Sequence, residues 1–364
     1  MPRVLAEDDV VRTAAEADPA GRGPLIVLDR LLAFLDGQDD PARFGAGDPD
    51  PVLTAVGDGH SNETFLIERG GARFVLRRPP RPPIPPSAND MLREARVLTA
   101  LHGRARVPRV LAVCDDESVI GAPFYAMELV PGIAVTDAMP PALDTPEQRR
   151  AAGLELIDAL VEMHAVDWRE AGLEGFGKPD GYLERQLRRF LGLWEHNKTR
   201  ELTEVETVAR WLSDHLPASP PATVVHGDYR LGNVLLAEEP PARITAILDW
   251  EMSTIGDPLA NLGYFCTLYV DADDPPLGMF ELASVTRDEG WPLKAELVAR
   301  YEERSGRSMS DIRWYQTLAL WKSVVFMEGN FKRASAGQSD DPFIASFGDG
   351  VRELADRALA LTRG

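Results

Sequence analysis

Three polar side chains in the second half of the chain have types and spacings suited to metal-dependent chemistry. The stretch VVHGDYRLGNVLL places Asp228 in a polar turn directly after an apolar segment, and Asn233 follows before the next one. Asp249 comes at the end of a third apolar segment, ITAIL. Carboxylate and amide oxygens are hard donors that Mg²⁺ accepts, with its remaining positions left to water and phosphate oxygens. The pattern therefore predicts a Mg²⁺ site at three strand ends, with a carboxylate that can accept a proton.

Phosphoryl transfer is the reaction that best suits this set of side chains. It needs protein oxygens that hold a metal ion against the nucleotide phosphates. It also needs one carboxylate that receives the proton of the acceptor hydroxyl. Asp228 is the better-placed base, so we expect the neighbouring His226 to be a buried, hydrogen-bonded core residue. Arg230 lies two residues after Asp228, where a cation can stabilise charge on the transferred phosphoryl group. A surface arginine packed along its aliphatic stem is the alternative for that residue.

The segments that must position these side chains fall into two regions with different hydrophobic patterns. Residues 49–130 contain short runs rich in β-branched and aromatic residues, which predict an antiparallel sheet, and one helical pattern over residues 89–101. Residues 131–364 are mainly helical, interrupted by the short strands that carry the polar residues. Residues 1–48 form an extension with one predicted helix over residues 25–35. The pattern predicts an α+β protein of two lobes.

Bulk composition excludes several classes of protein. The formal net charge is −19, and an acidic surface repels nucleic acid and anionic lipid while remaining compatible with a cationic small molecule. No stretch approaches a membrane span, and the N-terminus has no signal-peptide pattern. Cys114 and Cys266 are far apart in sequence and lie in apolar surroundings, which predicts buried free thiols. We therefore expect a cytoplasmic protein without nucleic-acid or membrane partners.

The polar segment resembles the catalytic segment of one enzyme superfamily. The HGD motif ending at Asp228, followed by Asn233, is similar to the kinase catalytic loop. The DWE motif beginning at Asp249 stands where kinases have their magnesium-binding Asp-Phe-Gly, and the GDPLANL stretch after it matches as well. Over residues 50–335 the chain resembles the aminoglycoside phosphotransferase and choline kinase family of the protein-kinase-like superfamily. This resemblance implies a two-lobe fold, with an antiparallel sheet and one main helix in the N-lobe and a mostly helical C-lobe.

The resemblance also implies an activity, the transfer of the γ-phosphate of ATP to a hydroxyl of a small molecule with Mg²⁺ as cofactor. Asp228 would be the base, and Asn233 and Asp249 would be the metal ligands. Two alternatives stay open. One is a nucleotide-binding pseudokinase that serves as a scaffold, and the other is a protein kinase, although no Ala-Pro-Glu segment follows Asp249. The sequence does not identify the acceptor, and its acidic balance allows a cationic one.

The first region carries the residues that the resemblance assigns to the nucleotide. The GDGHSNETFLI segment would cover the phosphates, and the backbone of the MELV segment would bond adenine as the hinge between the lobes. The implied nucleotide-binding residues are Gly59, His60, Ser61, Asn62, Arg77, Glu94, Glu128 and Val130. Residues 49–130 are accordingly the predicted nucleotide-binding N-lobe, and residues 131–364 the predicted catalytic and substrate-binding C-lobe.

The chain departs from the kinase pattern at the strand lysine that holds the phosphates. The strand ends in FVLRR, so Arg77 takes the lysine position with Arg78 as the alternative, and Glu94 is the natural helix partner. Arginine stays charged and can bind phosphate through two parallel hydrogen bonds. Alternation along a strand predicts that Arg78 points to the opposite face and that its loss has little effect.

Several further segments resemble one branch of the family, in which the kinase-like domain is fused to an acyl-CoA dehydrogenase domain in some animal proteins. These segments are FLDGQ, GHSN, LRRPP, PFYAMELVPG and LALWKSVVFMEGNFKR. The similarity to that branch argues against a dedicated antibiotic-resistance enzyme.

Overall fold

The computed structural model describes most of the chain in two compact units. The described residues are 5–6, 8–16, 23–57, 62–82, 84, 89–276, 278, 281–337 and 347–363. The first unit comprises Met1–Gly103 and Val107–Val130, and the second comprises Arg104–Arg106 and Pro131–Gly364. Strands dominate the first unit and helices dominate the second, so the α+β character predicted from the sequence is confirmed.

The first unit is built around a five-stranded antiparallel sheet. A parallel pair of two-residue strands, β1 (Val10–Val11) and β2 (Ile26–Val27), precedes it. The strands of the sheet are β3 (Val52–Val56), β4 (Glu63–Arg69), β5 (Ala72–Arg78), β6 (Val110–Cys114) and β7 (Phe124–Glu128), in the order β3-β4-β5-β7-β6. The helices of this unit are α1 (Leu28–Asp36) and α2 (Met91–Leu101).

A tight hairpin at Gly70 and Gly71 joins β4 to β5, as predicted. Both glycines have positive φ, 52° and 81°, which suits the two-residue turns that match the twist of antiparallel strands. The resulting register brings Arg77 opposite Tyr125 of β7. Because successive side chains of a strand alternate between the faces of a sheet, Arg77 and Arg78 point to opposite faces.

The apolar core of the first unit includes α1 and side chains from the sheet. Leu31 and Leu35 of α1 are four residues apart and therefore share one helix face. They belong to one buried cluster with Phe65, Phe74 and Phe124, which come from three different strands. Each fully buried side chain of this size contributes about 1.5–3 kcal/mol. The helix predicted within residues 1–48 is thus part of the core of the first unit.

The second unit consists mainly of helices. They are α3 (Pro146–Ala165), α4 (Tyr182–Asn197), α5 (Thr203–Asp214), α6 (Pro258–Leu268), α7 (Lys294–Ser305), α8 (Ile312–Ser335) and α9 (Phe347–Leu361). Its strands are β8 (Ile133–Ala134), β9 (Thr223–Val225), β10 (Val234–Leu236), β11 (Ile244–Ile247) and β12 (Thr254–Gly256). Strands β8 and β12 were not predicted, because two or three residues are too few to show a hydrophobic period.

Two antiparallel strand pairs hold the loop that carries the polar residues. β9 pairs with β12, and β10 pairs with β11. Val234 at the start of β10 lies opposite Ile247 at the end of β11, so the residue before β10 and the residues after β11 lie at the same end of this pair. There the backbone N–H of Leu248 donates to the carbonyl of Asn233 at 2.8 Å. This pairing brings Asn233 close to Asp249.

The sequence predicts buried free thiols and no membrane-spanning segment. Cys114 and Cys266 are both free and buried, as predicted from their apolar surroundings. Burial raises the pKa of the Cys266 thiol to about 12, so this thiol stays protonated and unreactive. Within the described ranges, none of the helices combines the length and the apolar composition needed to cross a membrane.

Candidate active site

Asp228 lies in the loop between β9 and β10, and donors hold both of its carboxylate oxygens. Asn233 donates from Nδ2 to Oδ2 at 2.6 Å, and the hydroxyl of Tyr264 donates to Oδ1 at 2.6 Å. Nε of Arg230 lies 3.6 Å from Oδ2. The Asp228 side chain is still 24% exposed, and each carboxylate oxygen has two lone pairs. An oriented carboxylate that a reactant can reach is suited to accepting a proton.

Asn233 and Asp249, the two predicted metal ligands, lie at the adjoining ends of β10 and β11. Nδ2 of Asn233 donates to the carbonyl of Asp228 at 2.8 Å as well as to its carboxylate, so the amide oxygen is the atom of Asn233 that suits a cation. Asp249 has a φ of 63°, a left-handed conformation that aspartate tolerates better than most residues. The strand pairing thus gathers an amide oxygen and a second carboxylate beside Asp228.

This donor set fits Mg²⁺. Mg²⁺ is commonly bound through one or two carboxylates, while waters and substrate phosphates complete its octahedron. Structural zinc instead needs four ligands that are mostly nitrogen or sulfur. Among the residues that the structure describes, no three His, Cys, Asp or Glu side chains form a group that could hold a metal ion by themselves. The site therefore suits a cation that arrives with the phosphates of a nucleotide.

His226 has the structural role predicted for it. Its ring is fully buried, and Nδ1 accepts from the backbone N–H of Asp228 at 3.2 Å. Nε2 therefore carries the proton and donates to the carbonyl of Leu248 at 2.8 Å. Burial lowers the pKa of His226, which keeps the ring neutral. His226 thus fixes the backbone at Asp228 to the segment that leads to Asp249.

A second buried chain of hydrogen bonds supports the same loop from the helices. Oδ1 of Asn261, on α6, accepts from the backbone N–H of Gly227 at 2.9 Å. Its Nδ2 lies 3.0 Å from Nε2 of His164, whose Nδ1 lies 2.7 Å from the hydroxyl of Tyr301. Because Asn261 donates to Nε2, Nδ1 of His164 carries the proton. Burial holds the pKa of His164 well below its usual value, so this chain stays in one protonation state.

Arg230 is folded against its own loop and borders a pocket. Its side chain is only 25% exposed, so the alternative of an arginine packed along its aliphatic stem stays open. A Cβ added to Gly232 would meet the Arg230 guanidinium, so the guanidinium would have to move to admit a larger residue there. The pocket is small and partly open to solvent. It is lined by Arg230, Leu231, Phe265, Leu268, Tyr269, Leu282 and Ala283.

The ion pair predicted in the first unit is present. Nη2 of Arg77, near the end of β5, lies 3.3 Å from Oε1 of Glu94 on α2. The Glu94 side chain is 1% exposed and that of Arg77 is 12% exposed. Asp90 caps α2 by accepting from the backbone N–H of Arg93 at 3.0 Å, which fixes the start of the helix that carries Glu94. The register that selects Arg77 over Arg78 is therefore confirmed by the contact.

Arg78 has a structural role that the sequence did not suggest. It is buried on the opposite face and donates to the carbonyls of Leu25, Pro79 and Ile120. Burial lowers the pKa of Arg78 to about 10. Removal of the Arg78 side chain would leave buried carbonyls without donors, so we expect it to lower stability. Its small effect on catalysis stays a prediction.

The structure describes only some of the other predicted nucleotide-binding residues. Gly59, His60 and Ser61 lie outside the described residues. Asn62 is buried and accepts from Nδ2 of Asn89 at 2.8 Å. Glu128 uses Oε1 to accept from the backbone N–H of Arg109 at 2.9 Å, so its side chain closes the β6–β7 pair. The proposed contact of Glu128 and Val130 with adenine depends on their backbone and stays a prediction.

Sequence analysis missed Tyr264 and the part played by Asn261. The two residues lie three apart on α6, which places them on one helix face. The start of that helix was predictable, because Asp257 precedes Pro258 and accepts from the backbone N–H of Leu259 at 2.9 Å. No local pattern indicates the contact between Tyr264 and Asp228, because the two residues are separated by 36 positions.

Comparison with known proteins supports the resemblance noted in the sequence. Residues 52–297 match the model of the phosphotransferase enzyme family. The chain belongs to this family. The chain is also 33% identical over 344 residues to mouse acyl-CoA dehydrogenase family member 10, and the aligned part covers 93% of this chain and 31% of that protein. It spans less than half the length of such curated relatives, and the predicted branch is confirmed.

Solved structures confirm the fold class. A protein from Ralstonia eutropha proposed to be an aminoglycoside phosphotransferase is 30% identical, with a TM-score of 0.78 over 92% of this chain and 98% of that chain. A mutant of the aminoglycoside phosphotransferase APH(4)-Ia, in complex with AMP-PNP and hygromycin B, has a TM-score of 0.57 at 15% identity. That match covers 92% of this chain and 99% of the other. At this low identity it shows that the two proteins share a fold and no more. The predicted protein-kinase-like α+β fold is thus established.

Proposed function

We propose that this phosphotransferase moves the γ-phosphate of ATP to a hydroxyl of a small molecule, with Mg²⁺ as cofactor. The observation that carries the proposal is the accessible Asp228 carboxylate, which Asn233 and Tyr264 hold on both oxygens. The strand pairing of Asn233 with the segment leading to Asp249 adds the oxygens for a metal. The complex of APH(4)-Ia with AMP-PNP and hygromycin B, a protein of the same fold, supports nucleotide and small-molecule substrates.

In the proposed reaction the acceptor oxygen attacks the γ-phosphorus while the bond from that phosphorus to the ADP oxygen breaks. Asp228 receives the proton of the acceptor hydroxyl and orients that hydroxyl for attack. A base of this kind contributes about 10²–10⁴-fold to the rate. Because donors already hold both of its oxygens, Asp228 does not have to reorient during the reaction.

The Asn233 amide oxygen and the Asp249 carboxylate would hold Mg²⁺. A metal ion held there would supply positive charge against the phosphates of the nucleotide. Arg230 supplies a further positive charge beside Asp228, and we assign it to the charge on the transferring phosphoryl group. The two roles are distinct, because Arg230 acts on the group in transit while Asn233 and Asp249 act on the bound nucleotide.

In the first unit, Arg77 would bind the nucleotide phosphates and Glu94 would orient its guanidinium. The 3.3 Å pair between them supports this assignment, because a carboxylate that is nearly fully buried restricts the arginine to one geometry. We assign residues 49–130 to nucleotide binding, with Gly59, His60, Ser61 and Asn62 at the phosphates. Residues 131–364 are assigned to catalysis and acceptor binding.

The acceptor is proposed to be a small molecule with a free hydroxyl. The net charge of −19 is compatible with a cationic acceptor. The pocket beside Arg230 offers six uncharged side chains and one cation, so the pocket itself does not favour a cationic group. The cytoplasmic location remains a proposal, supported by the two free buried cysteines.

Incubation with MgATP, or MgGTP, and a panel of hydroxyl compounds tests the proposal. We expect ADP or GDP together with a phosphomonoester of at least one compound, detected by mass spectrometry, and none with Asp228→Ala. Asp214→Ala is a matched control, because Asp214 is an exposed carboxylate at the end of α5. Nucleotide binding without transfer to any compound would favour the scaffold, and transfer to proteins alone would favour a protein kinase.

A further inference from the structure

Tyr264 contacts the Asp228 carboxylate from a helix outside the catalytic loop. It lies in the middle of α6, and its hydroxyl donates to Oδ1 of Asp228 at 2.6 Å. Asn233 holds the other oxygen, Oδ2, at the same distance. The two donors come from different elements, one from the Asp228 loop itself and one from a helix that follows β12.

The phenol of Tyr264 acts as a donor and not as a base. Burial, and then the nearby charge of Asp228, hold the pKa of Tyr264 well above its usual value. The hydroxyl therefore keeps its proton at any working pH. Hydrogen bonds from a hydroxyl to an ionised carboxylate are short and roughly twice as strong as bonds between neutral groups. The 2.6 Å distance agrees with such a bond.

Two donors on different oxygens fix the plane of a carboxylate. The terminal torsion of an aspartate is broad, so one donor alone allows the group to rotate. Asn233 donates to Oδ2 and Tyr264 donates to Oδ1, so rotation of the Asp228 carboxylate would break both hydrogen bonds. Each oxygen keeps one lone pair for an incoming hydroxyl, in a direction that the two donors determine.

The face of α6 that carries Tyr264 also contacts the backbone of the Asp228 loop and forms one wall of the pocket. Asn261, one turn before Tyr264, accepts from the backbone N–H of Gly227. Phe265 and Leu268, which follow Tyr264 on α6, line the pocket beside Arg230. α6 thus connects the orientation of the Asp228 carboxylate to the position of the pocket wall, through side chains three or four residues apart.

We propose that Tyr264 is a positioning residue for phosphoryl transfer, which sets the direction in which Asp228 accepts the proton of the acceptor hydroxyl. This inference rests on the proposed function of Asp228. It predicts an effect on the transfer step and none on nucleotide binding, because Tyr264 touches the base and not the residues assigned to Mg²⁺ or phosphate.

Replacement Tyr264→Phe tests the inference, because it keeps the ring and removes only the hydroxyl. We expect kcat to fall between about tenfold and 10²-fold, the effect of losing a hydrogen bond to a charged group. The Kd for MgATP, measured by titration calorimetry, should stay unchanged. The assay uses MgATP with water as acceptor, followed by MgATP with any acceptor that the hydroxyl panel identifies.

Tyr315→Phe is the matched control. Tyr315 also donates its hydroxyl to a carboxylate, Oδ2 of Asp257, at 2.8 Å, but that carboxylate caps α6. Tyr315→Phe should lower the melting temperature and leave kcat close to the wild-type value. A merely structural role for Tyr264 would give the same pattern in both variants, with stability lost and kcat retained.

The outcomes separate the inference from the proposed function. If wild type and Asp228→Ala release ADP at the same rate, the proposed function fails and the inference fails with it. If Asp228→Ala is inactive and Tyr264→Phe keeps the wild-type kcat, the inference alone is overturned. Phosphotyrosine at position 264 after incubation with MgATP would also overturn it, because the phenol would then be an acceptor.

Discussion

Two aspartates of the second unit accept a hydrogen bond from a tyrosine, yet their surroundings differ. Asp228 accepts from Tyr264 at 2.6 Å, and Asp257 accepts from Tyr315 at 2.8 Å. The other oxygen of Asp257 caps α6 through the backbone N–H of Leu259 at 2.9 Å, and the residue is 1% exposed. The side chain of Asp228 is 24% exposed. One carboxylate faces only protein, and the other keeps a side open to a reactant.

The two carboxylates differ in access more than in their donors, and on the proposed function it is access that makes Asp228 the reactive one. Burial raises the pKa of Asp257, because desolvation disfavours the charged form. Asp257 therefore contributes to the structure of α6, while Asp228, at the loop that α6 supports, is available for proton transfer. Mutations at the two positions should affect different properties of the protein.

The largest expected effect is the loss of transfer in Asp228→Ala. We expect kcat to fall by about 10³-fold, the usual contribution of a general base. The free energy of unfolding should fall less than in Asp257→Ala, because the Asp228 side chain is 24% exposed and water can replace the acceptor that Tyr264 loses. Asp257→Ala should instead lower the free energy of unfolding by about 2–4 kcal/mol, through loss of a helix cap and of the partner of a buried hydroxyl. Steady-state kinetics and urea unfolding of both variants would check this. An equal loss of stability in the two variants would contradict the comparison.

The next largest effect is expected at Arg77 of the first unit. Arg77 and Arg78 also differ in role, since Arg77 is assigned to the nucleotide and Arg78 supports the structure. Arg77→Ala should lower kcat/KM for ATP by about 10²-fold, because misplaced phosphates lose both binding and alignment. Arg77→Lys should recover part of the activity, since lysine keeps the charge but not the two-pronged geometry.

Arg78→Ala is the control for Arg77→Ala. It should lower the free energy of unfolding by about 2–4 kcal/mol, because three buried carbonyls lose a donor. The kcat of the folded protein should stay close to the wild-type value. Unchanged stability in Arg78→Ala, together with a loss of activity, would show that the arginine facing the nucleotide has been assigned wrongly.

A smaller effect is expected at Arg230. Arg230→Ala should lower kcat by about tenfold and leave the KM for ATP unchanged, as for an interaction made mainly in the transition state. The effect is smaller than at Asp228, because Arg230→Ala leaves the proposed proton acceptor in place. Steady-state kinetics at several ATP concentrations would measure it, and a rise in KM without a change in kcat would assign Arg230 to nucleotide binding instead.

The smallest effect is a pH dependence of stability at Asp257. The pKa of Asp257 is raised in the folded protein, so the folded state keeps the carboxyl proton up to a higher pH than the unfolded state does. Wild-type stability should therefore fall, relative to Asp257→Asn, as pH rises from about 4 through the folded pKa, by on the order of 1 kcal/mol. Urea unfolding of both proteins at pH values between 4 and 7 would show it, and a constant difference would contradict it.

The fold class and the polar segment were predictable because their signals are local. Asp228, Asn233 and Asp249 lie at the ends of short apolar segments, and the helix starts at Thr145 and Asp257 have residues typical of caps. The confirmed prediction of the Arg77–Glu94 pair also rested on a strand followed by a helix. In each case the relevant residues are close in sequence or follow from strand alternation.

The remaining features depend on contacts between distant segments. Tyr264 meets Asp228 only after β12 and α6 are in place, and His164 meets Asn261 across 97 positions. The hydrogen bonds of buried Arg78 depend on the carbonyls of Leu25 and of Ile120 in the β6–β7 connection, which no pattern around Arg78 indicates. Such contacts are set by packing, and single-sequence periodicity carries no information about them.

Binding of MgATP to Asp228→Ala and Asp249→Ala, measured by titration calorimetry, tests the assignment of base and metal ligand most directly. Asp228 is assigned to the acceptor hydroxyl, so its loss should leave the Kd for MgATP unchanged. Asp249 is assigned to Mg²⁺, so its loss should weaken binding at least about tenfold, equivalent to ~1.4 kcal/mol. Equal weakening in the two variants, or none in Asp249→Ala, would contradict the assignment.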